Sequence, residues 1–192
     1  MKIIVIGATG TIGSAVADLL EKEHEVIRAS RRGPVVVDMD DRASIDTLFE
    51  SVGDVDAVVV TAASGALTPL DSDDDFVGGI QGKLLGQVHL VRRAVRHLRD
   101  GGSITLTSGV FAEPMPGGSF GALVNAGLEA FVNAATIEMP RGLRVNTVSP
   151  GWVAETLERL GLDPADGTPA ADVARAYVQA VEGADQGRTI RP

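Results

Sequence analysis

Residues 1–20 read MKIIVIGATGTIGSAVADLL. Within Lys2–Ile6, residues 3–6 are an unbroken run of β-branched side chains, the pattern of a strand covered on both faces. It runs directly into Gly7-Ala8-Thr9-Gly10-Thr11-Ile12-Gly13, and the apolar residues from Ile12 onward then recur at helical spacing. A strand, a glycine turn and a helix opening in that order have a physical reading. Gly7 permits a tight turn, Gly10 lets a pyrophosphate approach the backbone, and Gly13 lets helix and strand pack closely. The N–H groups of Thr9 through Gly13 then face the phosphates at the positive end of the helix. Glycines also mark plain turns, so the context of this motif carries more than its spacing.

The same alternation continues outward from this unit. Strands are expected at 2–6, 25–29, 35–37, 57–61, 103–107, 143–148 and 188–190, and helices near 11–23, 42–52, 75–99, 121–139 and 170–182. Seven strands interleaved with helices predict one domain over residues 1–192, a doubly wound, seven-stranded parallel α/β sheet of the Rossmann type. The acidic run Asp71-Ser72-Asp73-Asp74-Asp75 is expected to open the long central helix, where carboxylates favour the positive dipole end.

The whole chain limits the function classes. Its 192 residues suit a single core, and 44% hydrophobic with 22% charged residues is ordinary for a globular protein. A net charge of −9 argues against a nucleic-acid surface. No apolar run of the roughly 20 residues that span a bilayer is evident, and the N-terminus lacks a signal-peptide pattern, so a cytoplasmic protein with no membrane partner is expected. The absence of cysteine excludes disulfides, thiolate metal sites and cysteine nucleophiles. No metal is expected, and a small-molecule substrate is.

The end of the second strand reads Ala29-Ser30-Arg31-Arg32. An NAD site places an acid there for the ribose 2′-hydroxyl; two guanidiniums and a hydroxyl suit the 2′-phosphate of NADP(H). Asp38, after the third strand, suits either the adenine amino group or a simple turn.

With these residues in place, the chain resembles the short-chain dehydrogenase/reductase family, in a compact form. Val60-Thr61-Ala62-Ala63-Ser64-Gly65 is similar to the family's loop after the fourth strand, which implies that Ala62 and Ala63 support the cofactor ribose. Arg144 to Gly151, RVNTVSPG, is similar to the sixth strand and its Pro-Gly turn, which implies that Pro150, Gly151 and Val153 lie beside the nicotinamide. The run from Asn125 to Phe131 resembles the segment that begins with the active-site lysine, but Asn125 stands in its place and Gly121 stands where the tyrosine acid would be. Ser108 matches the catalytic serine.

Lys83 stands where the family has an active-site asparagine in the central helix. A helical wheel puts Leu84, Val88, Val91, Val95 and Leu98 on the buried arc and Lys83 at its edge, in line with Gln87 and Leu90. From there Lys83 either donates into the site, with a pKa lowered by burial, or snorkels at a helix boundary. The resemblance implies hydride transfer between nicotinamide and a small carbonyl or alcohol, with Ser108 binding the oxygen and Lys83 or a water supplying the proton; the alternative is an NADP(H)-binding protein without chemistry. It also implies a homodimer or homotetramer through the two long helices. Tyr177, the sole tyrosine, is expected in the core, Trp152–Pro169 is expected to form a short lid, and Gly121 is expected to leave room near Ser108.

Overall fold

A computed structural model describes residues 1–62, 67–73 and 79–192. Its seven strands are β1 (Lys2–Ile6), β2 (Glu25–Ser30), β3 (Val35–Val36), β4 (Val55–Val60), β5 (Leu98–Thr107), β6 (Arg144–Val148) and β7 (Thr189–Ile190). They form one sheet in the order β3-β2-β1-β4-β5-β6-β7, and every pairing is parallel. The chain reverses direction across the sheet between β1 and β4, and at such a switch point a crevice opens at the carboxyl ends of the strands.

Because side chains alternate across a strand, each apolar run feeds two cores. Ile4, Ile6, Val58, Val60, Ile104, Leu106 and Val145 pack under helices α2 (Arg42–Val52), α3 (Gln87–His97) and α4 (Ser119–Ala135). Ile3, Val5, Ala57, Val59 and Val148 face the other way, toward α1 (Thr11–Leu20) and α6 (Ala170–Glu182). Tyr177 is fully buried in this second core, and its hydroxyl hydrogen-bonds Thr107 Oγ1 at 2.6 Å. Burial raises the pKa of the phenol, so Tyr177 is a core residue that no solvent or substrate reaches.

The central helix departs from expectation. It is not a single α-helix from 75 to 99: Gly79–Gly86 is a π-helical turn, α3 follows it, and the chain is already extended from Leu98. Asp71 to Asp73 lie in a turn before the helix, and Asp74 and Asp75 fall outside the described residues. A π turn holds more residues per turn than an α-helix, so positions on either side of it do not share one wheel. The buried row is therefore Gln87, Leu90, Val91, Ala94 and Leu98. Val88, Val95 and Lys83 are only partly buried, whereas Gln87 and Leu90 are fully buried.

Helix α4 begins at Ser119 and continues as a 3-10 turn over Thr136–Glu138. Together they make a helix long and apolar enough by length and composition to cross a membrane, contrary to the expectation from sequence, although its row of Val124, Leu128 and Val132 is buried against the sheet. The lid region carries a short helix, α5 (Ala154–Arg159), and is tied down by a bridge between Val153 and Thr168.

Candidate active site

The glycine turn has the shape that its residue types require. Gly7 adopts φ +87°, and a Cβ there would stand 2.6 Å from Ala62 N. A Cβ on Gly13 would stand 2.1 Å from Gly7 O. The turn is thus compressed between α1 and the end of β4, where Thr61 Oγ1 donates to Ile6 O at 2.9 Å. Gly10 caps α1 with no side-chain oxygen, so the first-turn N–H groups of Thr11, Ile12 and Gly13 have no acceptor within the helix. This cradle fits a pyrophosphate. At the end of β2, Ser30 is buried and its Oγ donates to Arg32 O at 2.8 Å, which folds the turn and leaves Arg31 and Arg32 exposed. Among the described residues neither guanidinium has a carboxylate partner. Asp38 Oδ1 accepts the Asp40 N–H at 3.0 Å, as a turn aspartate does. Ala62 lies against Gly7, whereas Ala63 falls outside the described residues.

At the same carboxyl edge of the sheet, a second constellation lies beyond β5. Gln87 is fully buried and brackets Thr107: its Nε2 donates to Thr107 O at 3.0 Å and its Oε1 accepts Thr107 N–H at 2.9 Å. The same Nε2 donates to Lys83 O at 2.7 Å. The π turn is therefore fastened to the strand end that carries Ser108, and Lys83 is aimed at α4. Lys83 Nζ donates to Asn125 Oδ1 at 2.7 Å. Desolvation lowers the Lys83 pKa from 10.5 to about 8. Residues of the types expected on the two helices are exchanged, with the ammonium on the π turn and the amide on α4, yet they meet.

Ser108 is 2% exposed, and its hydroxyl donates to Glu129 Oε1 at 2.9 Å. Ser149, which precedes the Pro150-Gly151 turn, donates to the same oxygen at 2.9 Å, and Arg191 donates to Oε2 at 3.0 Å. Each of β5, β6 and β7 thus delivers its next residue, Ser108, Ser149 or Arg191, to one carboxylate. Glu129, Arg191 and Asn125 line a cleft of about 420 Å³ whose other walls include Val110, Phe111, Met115 and Ala126. The space expected at Gly121 is filled: a Cβ there would stand 3.2 Å from the Phe111 ring. Pro150 O accepts from Val110 N–H at 3.0 Å, which holds the Pro-Gly turn against this loop, and the Val153 side chain is buried in the second core.

Glu129, Ser149 and Arg191 were not among the residues expected from sequence. One signal was present: Gly121, Asn125 and Glu129 stand at i, i+4 and i+8 on one face of α4, and Glu129 is the only charged residue of that helix.

A protein-family model described as enoyl-(acyl carrier protein) reductase matches residues 7–186. The chain belongs to the short-chain dehydrogenase/reductase family. Among solved structures, the protein lin1944 from Listeria innocua is 42% identical with a TM-score of 0.93, over 100% of this chain and 98% of that one. A small-chain dehydrogenase is 31% identical with a TM-score of 0.85, over 100% and 95%. A small-chain dehydrogenase in complex with NADPH is 29% identical with a TM-score of 0.87, over 100% and 96%. No curated protein matches the chain. Family membership supports an NAD(P)-dependent oxidoreductase in general terms.

Proposed function

We propose that this chain is an NADP(H)-dependent oxidoreductase that moves hydride between nicotinamide and the carbonyl or alcohol carbon of a small molecule. The observation that carries the reading is the shared rim. The compressed glycine cradle and the Ser108, Lys83 and Asn125 cluster lie at the carboxyl edge of one parallel sheet, where this architecture binds ligands. NADP(H) in preference to NAD(H) is supported by Arg31 and Arg32, exposed at the end of β2 and without an acidic partner among the described residues, since a guanidinium binds a phosphate through two parallel hydrogen bonds. When bound, the nicotinamide supplies hydride transfer; the chain's residues bind, orient and handle protons. Gly7 to Gly13 hold the pyrophosphate, Ala62 backs the turn, and Pro150, Gly151 and Val153 border the nicotinamide. Lys83, fixed by Asn125, is the cationic donor to the substrate oxygen, and Ser108 braces the cleft from the end of β5.

A second reading, an NADP(H) binder without chemistry, is favoured by one observation: the sole phenol, Tyr177, is fully buried in the second core against Thr107, while Phe111 packs over Gly121. The test is NADPH oxidation against a panel of ketones, aldehydes and quinones, beside calorimetry with NADPH and NADH. Turnover with a carbonyl supports the oxidoreductase; tight NADPH binding without turnover on any member supports the silent binder. Failure to bind either cofactor would overturn both.

A further inference from the structure

A missing acid leaves the question of which group exchanges a proton with the substrate oxygen. Glu129 lines the cleft and keeps 24% of its side chain exposed, whereas Ser108 and Ser149 are 2% and 1% exposed. Among the described residues that line the cleft, the only charged ones are Glu129 and Arg191. An ionised carboxylate can only accept, so both serine hydroxyls donate to Oε1. The two serines therefore hold the carboxylate in place, Arg191 steadies Oε2, and Glu129 is the group that meets a ligand.

We propose that Glu129 is the general base of this site, accepting the proton of a substrate alcohol, with Ser108 and Ser149 as its positioning residues. The proposal rests on the NADP(H)-dependent reading given above. In oxidation the alcohol O–H bond breaks and its proton passes to a carboxylate oxygen of Glu129. The O–H electron pair forms the C=O bond, and the hydride leaves the carbon for the oxidised nicotinamide, the two-electron acceptor. The carboxylate borders the cleft with Oε1 held by both serines and Oε2 by Arg191, so a substrate hydroxyl in the cleft can donate to it, and alcohol oxidation is the role this geometry suits. The groups that face Glu129 are Ser108 at the end of β5, Ser149 at the end of β6 and Arg191 at the end of β7, while one turn back on α4 Asn125 accepts from Lys83 of the π turn.

The experiment has two arms. In the protein without cofactor, ¹³C-glutamate NMR follows the Glu129 carboxyl carbon, assigned by its loss in Glu129→Gln. Ser108→Ala removes the donor that stands 2.9 Å from Oε1, so that resonance should move. In the second arm, NADP⁺ reduction is driven by a panel of primary and secondary alcohols across pH. The wild type should lose kcat/KM at acid pH. Glu129→Gln should abolish that acid limb and lower the rate by roughly 10²–10⁴-fold, the range of general acid–base catalysis, with NADPH affinity unchanged. Ser108→Ala should keep the limb and lower kcat with KM little changed, and Ser108→Thr, which keeps the hydroxyl, should recover much of the loss. An acid limb that survives in Glu129→Gln overturns the base while leaving the redox reading intact. A Glu129 resonance and a kcat unmoved in Ser108→Ala overturn the positioning role. Bound NADP⁺ with no turnover on any alcohol or carbonyl removes the redox reading and the base together.

Discussion

Replacing Lys83 by methionine sets two effects against each other, and their pH dependence separates them. Burial lowers its pKa from 10.5 to about 8; the difference, about 2.5 pH units at about 1.36 kcal/mol each, corresponds to roughly 3 kcal/mol against the charged form. Since the folded pKa lies below the unfolded one, this cost is fully present below pH 8. It is relieved as the folded protein releases the proton between about pH 8 and 10.5, where the unfolded chain binds more protons and stability rises with pH. Methionine carries no charge at any pH, so Lys83→Met removes the cost. It also removes the donor to Asn125 Oδ1, a charged hydrogen bond of about 1.5–3 kcal/mol. At pH 7 the two nearly cancel, and the net change in stability should stay within about 2 kcal/mol. Between pH 7 and 10.5 the variant's stability relative to wild type should fall by roughly 3 kcal/mol. Urea unfolding of both proteins at several pH values measures this difference, and titrations common to both cancel. Turnover should fall by about 10²–10³-fold, the usual effect of losing one donor to a developing oxyanion, with NADPH affinity unchanged. A stability difference that is flat with pH would refute the buried-ammonium argument, and undiminished turnover would remove Lys83 from the site.

Arg31→Ala should weaken NADPH by about 1.5–3 kcal/mol and leave NADH nearly unchanged, because only the 2′-phosphate meets the guanidinium; calorimetry with both cofactors reads this directly. Gly13→Ala places a Cβ 2.1 Å from Gly7 O, a backbone atom that cannot rotate away. Overpacking of about 1–3 kcal/mol is expected, seen as a lower melting temperature and loss of NADPH binding, whereas an unperturbed variant would mean that the turn is not compressed. Leu123 on α4 and Ile137 in the 3-10 turn that continues it, 56% and 92% exposed, support a proposed homo-oligomer through that element; light scattering should show Ile137→Glu as a smaller species than wild type, and a monomeric wild type would end the proposal.

The sheet was legible because its strands are short uninterrupted runs such as Ile3–Ile6 and Val58–Val60, and such runs suit few other structures. The rotational phase of the central helix was not. A wheel assumes 3.6 residues per turn, and the π turn at Gly79–Gly86 violates that assumption before Gln87. The early start of β5 was hidden by Asp100-Gly101-Gly102, which reads as a turn; Gly101 does take φ +75°, and the register with β4 shifts between Val55 and Ala57. Glu129 looked like a lone charge on an apolar helix because its three donors are 20, 21 and 62 residues away in the chain. Pairing over such separations leaves no local signature. Ser108 and the glycine turn were singled out because they sit in short motifs at the ends of strands and helices, and Lys83 because of its place in the central helix.

The π turn also makes chain length in this stretch a variable on which the site depends. Deleting one residue between Gly79 and Lys83 would be absorbed upstream, but deleting one between Leu84 and Gly86 would relax the turn toward an ordinary α-helix and rotate everything before it by about 100°. Gln87 would still bracket Thr107, so the sheet and α3 would keep their places. Lys83 would leave Asn125 and face another direction. A single-codon deletion could thus disarm the site without unfolding the protein, and insertions or deletions in Leu84–Gly86 should be tolerated by stability and rejected by activity.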